Sequence, residues 1–164
     1  MGELTRGIGA LIVFLAALLS VRLYRSYLDG RLTEGRAFLR LIERVRDGVN
    51  CYLTPIPNIL EAASELHSAI LSLWKRVADG ATPSEAYELV EGELSLDSVS
   101  REILRRFFDG IGSGYREGVV AFAEECRGEL SERLDMLEAE DEKNKKIYSA
   151  LIVGGALGFI LLFV

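Results

Sequence analysis

The chain has 164 residues, of which 25 are acidic and 19 basic, for a net charge of −6. That balance, carried almost wholly by the central segment Arg22 to Lys146, argues against a nucleic-acid or anionic-lipid partner for that segment as a whole. Two cysteines and one histidine, with no C-x-x-C anywhere, leave no redox pair or metal-ligand set of recognisable spacing, so neither metal nor cofactor is expected.

In chain order, the first feature is an uncharged run from Gly7 to Val21, bounded by Arg6 and Arg22. It is short, but snorkelling arginines and the flanking Leu23 and Tyr24 extend it to about a bilayer's depth, so a membrane helix over 7–24 is expected. A cleaved signal peptide is the alternative. Against it, Leu18-Leu19-Ser20 runs straight into Val21-Arg22 without a small-x-small cleavage site.

The segment 25–146 reads as all-α, because apolar residues recur at spacings of three and four and strand-like alternation never persists. At 125 residues, Arg22 to Lys146 is long enough for one core and too short for two ordinary domains. The first of about six helices spans about Arg36 to Cys51, with Phe38, Leu41, Ile42, Val45 and Val49 on one face. Thr54-Pro55-Ile56-Pro57 stops it and starts another, threonine capping and proline suiting the first turn. Ile59, Leu60, Ala63, Leu66, Ile70, Leu73, Trp74 and Val77 then form an apolar stripe that can divide near Ser64. The single histidine, His67, falls within this stretch and reads as a surface or core-edge residue rather than a catalytic one.

Thr82-Pro83-Ser84-Glu85 is a capping box that opens a short helix to about Glu91. After a break at Gly92 to Ser95, a further helix turns Val99, Ile103, Leu104, Phe107 and Phe108 inward. Gly110-Ile111-Gly112-Ser113-Gly114 lacks the spacing and lysine of a phosphate loop and follows a helix rather than a strand, so it is expected to join two helices. From Tyr115 the next helix runs unbroken to Gly154, with Val119, Phe122, Ala123, Cys126, Leu130, Leu134 and Leu137 on one face. Cys51 and Cys126 are both expected as small buried core residues.

The polar stretch Glu138 to Lys146, with Glu142 and Lys146 spaced as an i,i+4 pair, leads into Ile147 to Val164, eighteen residues without a charge. A helix of that length is roughly 27 Å long, close to a bilayer's ~30 Å hydrocarbon core, so 147–164 is expected to be a second membrane helix. Within it Ala150, Gly154 and Gly158 stand four apart on one face, a spacing that lets helix backbones approach in lipid. Arg6, Arg22, Lys143, Lys145 and Lys146 mark the membrane boundaries. Arg22, Arg25, Arg31 and Arg36 after the first run, and Arg127, Arg133 and the three lysines before the second, place the central domain in the cytoplasm by the positive-inside rule. No charge inside the apolar runs marks an ion path, and the carboxylates are spread along solvated faces. No catalytic constellation emerges.

The order of these parts resembles the stage III sporulation protein AB family of endospore-forming bacteria. The resemblance rests on the N-terminal apolar run with its arginines, on Thr54-Pro55-Ile56-Pro57, and on Arg101-Glu102-Ile103-Leu104-Arg105-Arg106-Phe107-Phe108. Its most specific part is Glu142-Lys143-Asn144-Lys145-Lys146-Ile147-Tyr148 with the Gly-Gly helix that follows. Gly114-Tyr115-Arg116-Glu117-Gly118-Val119 departs from the Ser-Asp-Arg-Glu-x-Gln-like stretch expected there. The resemblance implies a helical bundle similar to type II secretion system F domains, held in the mother-cell membrane facing the forespore. It implies a non-enzymatic platform that works with a cytoplasmic secretion-type ATPase and the other proteins of a channel complex, with self-association into a homo-oligomer left open. A membrane-tethered regulatory or sensory adaptor unrelated to secretion is the alternative.

Overall fold

The computed structural model describes residues 2–111 and 116–163, without the side chains of 2–8, 10, 11, 13, 14, 25, 116, 153, 156, 157 and 159–163. Among the described residues it is all-helical, with six α-helices and no strand. They are α1 (Gly2–Asp47), α2 (Ile56–Ala63), α3 (Ser68–Ala78), α4 (Pro83–Glu91), α5 (Ser98–Ile111) and α6 (Arg116–Phe163). The chain divides into two compact units, residues 31–136 and residues 1–30 with 137–164.

Where a separate helix from about Arg36 is expected, α1 is continuous from Gly2 to Asp47. The physical reason is that no proline interrupts this span, and Gly30 and Gly35 each weaken a helix by only about 1 kcal/mol relative to alanine. α1 ends in a wider π-type turn, Gly48–Tyr52, closed by Leu53 in the left-handed region at φ 52° and ψ 31°. The Leu53 N–H donates to the Gly48 carbonyl, as does that of Thr54 at 3.1 Å. Thr54 therefore does not cap α2: Pro55 stands at that position, without a side-chain cap bond, and Pro57 lies in the first turn. The stripe does divide, since α2 ends at Ala63 and α3 begins at Ser68. His67 is the N-cap of α3, its Nδ1 accepting from the Ala69 N–H at 3.3 Å. The Thr82–Glu85 capping box forms in both directions and holds the Glu85 carboxyl below its ordinary range.

In the unit 31–136 the core is built from the expected faces. Phe38, Leu41, Ile42 and Val45 of α1 are buried, with Leu60, Ile70, Leu73, Leu104, Phe107 and Phe108. α2 to α5 each pack on the next. The Phe108 ring stacks on Tyr87 with centroids 4.9 Å apart and meets Phe38 and Phe107 edge-on at 6.5 and 5.2 Å. One side chain thus joins α1, α4 and α5, and aromatic pairs of this kind add about 0.5–1.5 kcal/mol each beyond area burial. The buried Tyr87 hydroxyl donates to the Arg101 carbonyl at 2.9 Å, and burial pushes its pKa up. Glu34, also buried, accepts from the Ser95 N–H at 2.8 Å, which ties α1 to the α4–α5 link.

α6 lies antiparallel to α1 in this unit, with Leu134 over Gly35 and Glu124 bonded to Arg46. Its buried residues Val119, Ala123, Cys126, Leu130 and Leu134 are the expected stripe, whereas Phe122 is half-buried. Two inward assignments fail. Val99 is 48% exposed at the open start of α5, and Cys51 is exposed because the π-type turn carries it off the apolar face of α1. Both cysteines are free thiols. Of the expected glycine linker 110–114, Gly110 and Ile111 instead continue α5, whose buried Ile111 adds to its apolar face, and residues 112–114 with Tyr115 lie outside the described residues.

The other unit pairs the first part of α1 with the last part of α6. Tyr24 and Tyr148 meet with centroids 5.1 Å apart, and Lys145 Nζ bonds Asp29 Oδ1 at 2.8 Å. Among the described residues, no helix is long and apolar enough to cross a membrane. The Gly7 to Val21 run has only fifteen residues, and the residues from Phe159 onward, among the most apolar of the chain, lie outside the described side chains.

Candidate interaction surfaces

Three surfaces stand out, two of them in the unit 31–136. The first is an open groove of about 530 Å³ between α5 and α6. Val99, Ile103 and Met136 give it an apolar floor, Val99 and Met136 being 48% and 46% exposed. Its walls carry Glu102, Arg106, Glu129, Glu132 and Arg133, three of which are held in ion pairs. Arg106 bonds Glu129 across the groove, and Arg133 meets Asp97 Oδ2 at 3.0 Å. Asp97 also accepts from Ser100 Oγ at 2.5 Å and from the Val99 N–H at the start of α5. Burial alone would raise the Asp97 pKa, but the bonds from Ser100 and Arg133 outweigh it and hold the carboxyl below its ordinary range.

The second surface is the tip that follows α1. Gly48 to Leu60 is thirteen residues without a charge, and at its crest Tyr52 is 78% and Leu53 69% exposed. A leucine in the left-handed region costs on the order of 1 kcal/mol, and such strain persists where surrounding structure holds it in place. Here two N–H groups converge on the Gly48 carbonyl to do so. Just before the tip, Arg46 bonds both Asp47 and Glu124 at 2.8 and 2.7 Å, and Arg127 bonds Glu124 at 2.7 Å. Arg127 and then Arg46 pull the Glu124 carboxyl down to about 2. These pairs are solvent-exposed and fix side-chain positions more than they stabilise the fold.

The third surface is in the unit of the chain ends. A pocket of about 250 Å³ is lined by Ser20, Val21 and Tyr24 of α1 and Lys145, Tyr148, Ser149 and Ile152 of α6. Of the expected boundary residues, Arg22, Lys143 and Lys146 are exposed and Lys145 is half-buried in its bond to Asp29; the Arg6 side chain lies outside the described residues. Lys145 pairs with Asp29, and among the described residues the expected Glu142–Lys146 pair is not formed. Ala150 and Gly154 are exposed and Gly158 half-buried. A methyl group added at Gly154 or Gly158 would meet nothing within 4 Å, so no described part of the chain packs closely on that face.

Sequence reasoning missed Val99, Met136, Tyr52 and Leu53, since exposure of apolar residues has no signal in periodicity. It also missed Gly35 and Gly110, where an added methyl would lie 2.4 Å from Leu134 and 2.2 Å from the Phe122 ring. Among the described residues no group of His, Cys, Asp and Glu is placed to hold a metal ion. The Cys126 thiol is pushed up to about 11 by burial, which suits a packed side chain rather than a nucleophile.

The family model for stage III sporulation protein AB matches residues 6–164. No curated protein and no solved structure matches the chain.

Proposed function

The chain belongs to the stage III sporulation protein AB family, and from that membership we propose that it is a non-enzymatic platform subunit of a sporulation-specific secretion-like channel complex. The family match over residues 6–164 carries this reading, because it takes in both uncharged runs as well as the bundle between them. In the proposal the two runs are membrane helices in the mother-cell membrane facing the forespore, and the unit 31–136 is cytoplasmic. The pairing of the first part of α1 with the last part of α6 in one compact unit supports it, as does the crowding of basic residues at the inner ends of both runs.

The tip at Tyr52 and Leu53 and the groove between α5 and α6 are then the surfaces offered to a cytoplasmic ATPase and to sister subunits. The Ala150, Gly154 and Gly158 face, on which no described part of the chain packs closely at the two glycines, packs against another helix of the assembly. Deleting the gene is expected to arrest sporulation after engulfment of the forespore. The purified chain is expected to retain the ATPase on a column without hydrolysing ATP itself, and Tyr52→Asp to weaken that retention by about tenfold, the scale of an interface aromatic. Normal spore yield in the deletion strain would remove this function.

A further inference from the structure

The pocket between Ser20, Val21 and Tyr24 of α1 and Lys145, Tyr148, Ser149 and Ile152 of α6 has two chemically different ends. Lys145 stands at one end and Ile152 at the other, seven residues apart on α6, or about 10 Å along the helix axis. On α1 the lining runs from Tyr24 back into the uncharged stretch at Val21 and Ser20, so both walls cross from charged to apolar sequence at this level. Among the described residues the walls are otherwise two tyrosines, two serines and aliphatic carbon, with Lys145 as the one charge in the lining. Asp29 holds the Lys145 ammonium at 2.8 Å. An ammonium carries three donors, so it is positioned without being used up.

A ligand complementary to this site is an amphiphile with an anion at one end and a hydrocarbon chain at the other. We infer that the pocket binds one anionic phospholipid, its phosphate on Lys145 with the Tyr24 and Tyr148 rings beside it and the start of an acyl chain against Val21 and Ile152. The inference rests on the proposed membrane setting, which places a bilayer's headgroup level at the end of both uncharged runs; basic pockets between membrane helices are a recurrent site for such lipids. Charge complementarity is local: the chain as a whole is acidic, whereas Arg22, Lys143, Lys145 and Lys146 gather around this one level.

The test reconstitutes the full chain in vesicles of phosphatidylethanolamine and phosphatidylglycerol, extracts it, and counts retained lipid by native mass spectrometry. Wild type is expected to keep phosphatidylglycerol in preference. Lys145→Gln should lower its retention about fivefold, the ratio equivalent to the ~1 kcal/mol of one lysine near an anionic lipid surface. Asp29→Asn, which frees the ammonium, should leave retention equal or higher. Ser149→Phe, which fills the pocket, should abolish it while circular dichroism shows the helices intact. Equal loss in Lys145→Gln and Asp29→Asn would reduce Lys145 to a structural ion pair and overturn the inference, as would indifference between the two lipids. Loss of self-cross-linking in Ser149→Phe with lipid retention unchanged would put a second copy's helix in the pocket instead. Failure of the wild-type chain to float with vesicles at all would overturn the membrane setting itself, a result separate from any lipid count.

Discussion

Asp97→Asn isolates the clasp at the start of α5. The Asp97 carboxylate is 15% exposed and its partner Arg133 25%, and it gathers Arg133 Nη2 and Nε at 3.0 and 3.1 Å, Ser100 Oγ at 2.5 Å and the Val99 N–H. Asparagine keeps the shape but removes the charge, leaving Arg133 against a neutral amide. Hydrogen bonds to a charged group contribute about 1.5–3 kcal/mol net; these share one acceptor group and are partly solvated, so the loss is expected at about 2–3 kcal/mol. For a chain of this size that lowers Tm by about 4–12 °C, measured on the full chain in detergent by near-ultraviolet circular dichroism. The pH dependence supplies the control. The folded carboxyl lies below its ordinary value of 3.8, so its contribution is fully present above that value and is lost as pH falls through the lower, folded-state value. The gap between wild type and Asp97→Asn should therefore be constant from pH 7 to about 5 and narrow on further acidification. A gap that stays the same at pH 3, or a variant as stable as wild type at pH 7, would refute the assignment of this stabilisation to the Asp97 charge.

Phe108→Ala removes the ring shared by Tyr87, Phe38 and Phe107 and is expected to cost about 3–5 kcal/mol in thermal or denaturant unfolding. Gly110→Ala drives a methyl group into the Phe122 ring, 2.2 Å away, at about 1–3 kcal/mol. The double variant Gly154→Leu, Gly158→Leu should leave Tm unchanged, since no described atom lies within 4 Å of a methyl added at either glycine, yet lose cross-links to neighbouring helices; persistence of the cross-links would make the small-residue face a chance feature. An impermeant thiol reagent is expected to reach exposed Cys51 only after cells are permeabilised and to reach buried Cys126 only after unfolding. Labelling of Cys51 in intact cells would reverse the orientation.

Periodicity alone was enough for the helical class, for the inward faces of α1, α5 and α6, and for the Thr82–Glu85 start of α4, because each depends on neighbours three or four residues away along the chain. The division of the α2–α3 stripe near Ser64 was legible for the same reason. Local rules failed where a distant residue or the path of the backbone decides. α1 runs on past Arg36 because nothing in its own sequence stops it, and the π-type turn at Gly48–Tyr52 rotates Cys51 out of the core stripe that its spacing suggested. Val99 obeys the helical period, yet it lines an open groove because none of the described elements covers the start of α5. Asp97 and Asp29 looked like solvated carboxylates, and Arg133 and Lys145 like basic residues flanking the second apolar run. Only the antiparallel return of α6 brings residues 36 and 116 positions apart in sequence into contact, and with them the groove and the pocket.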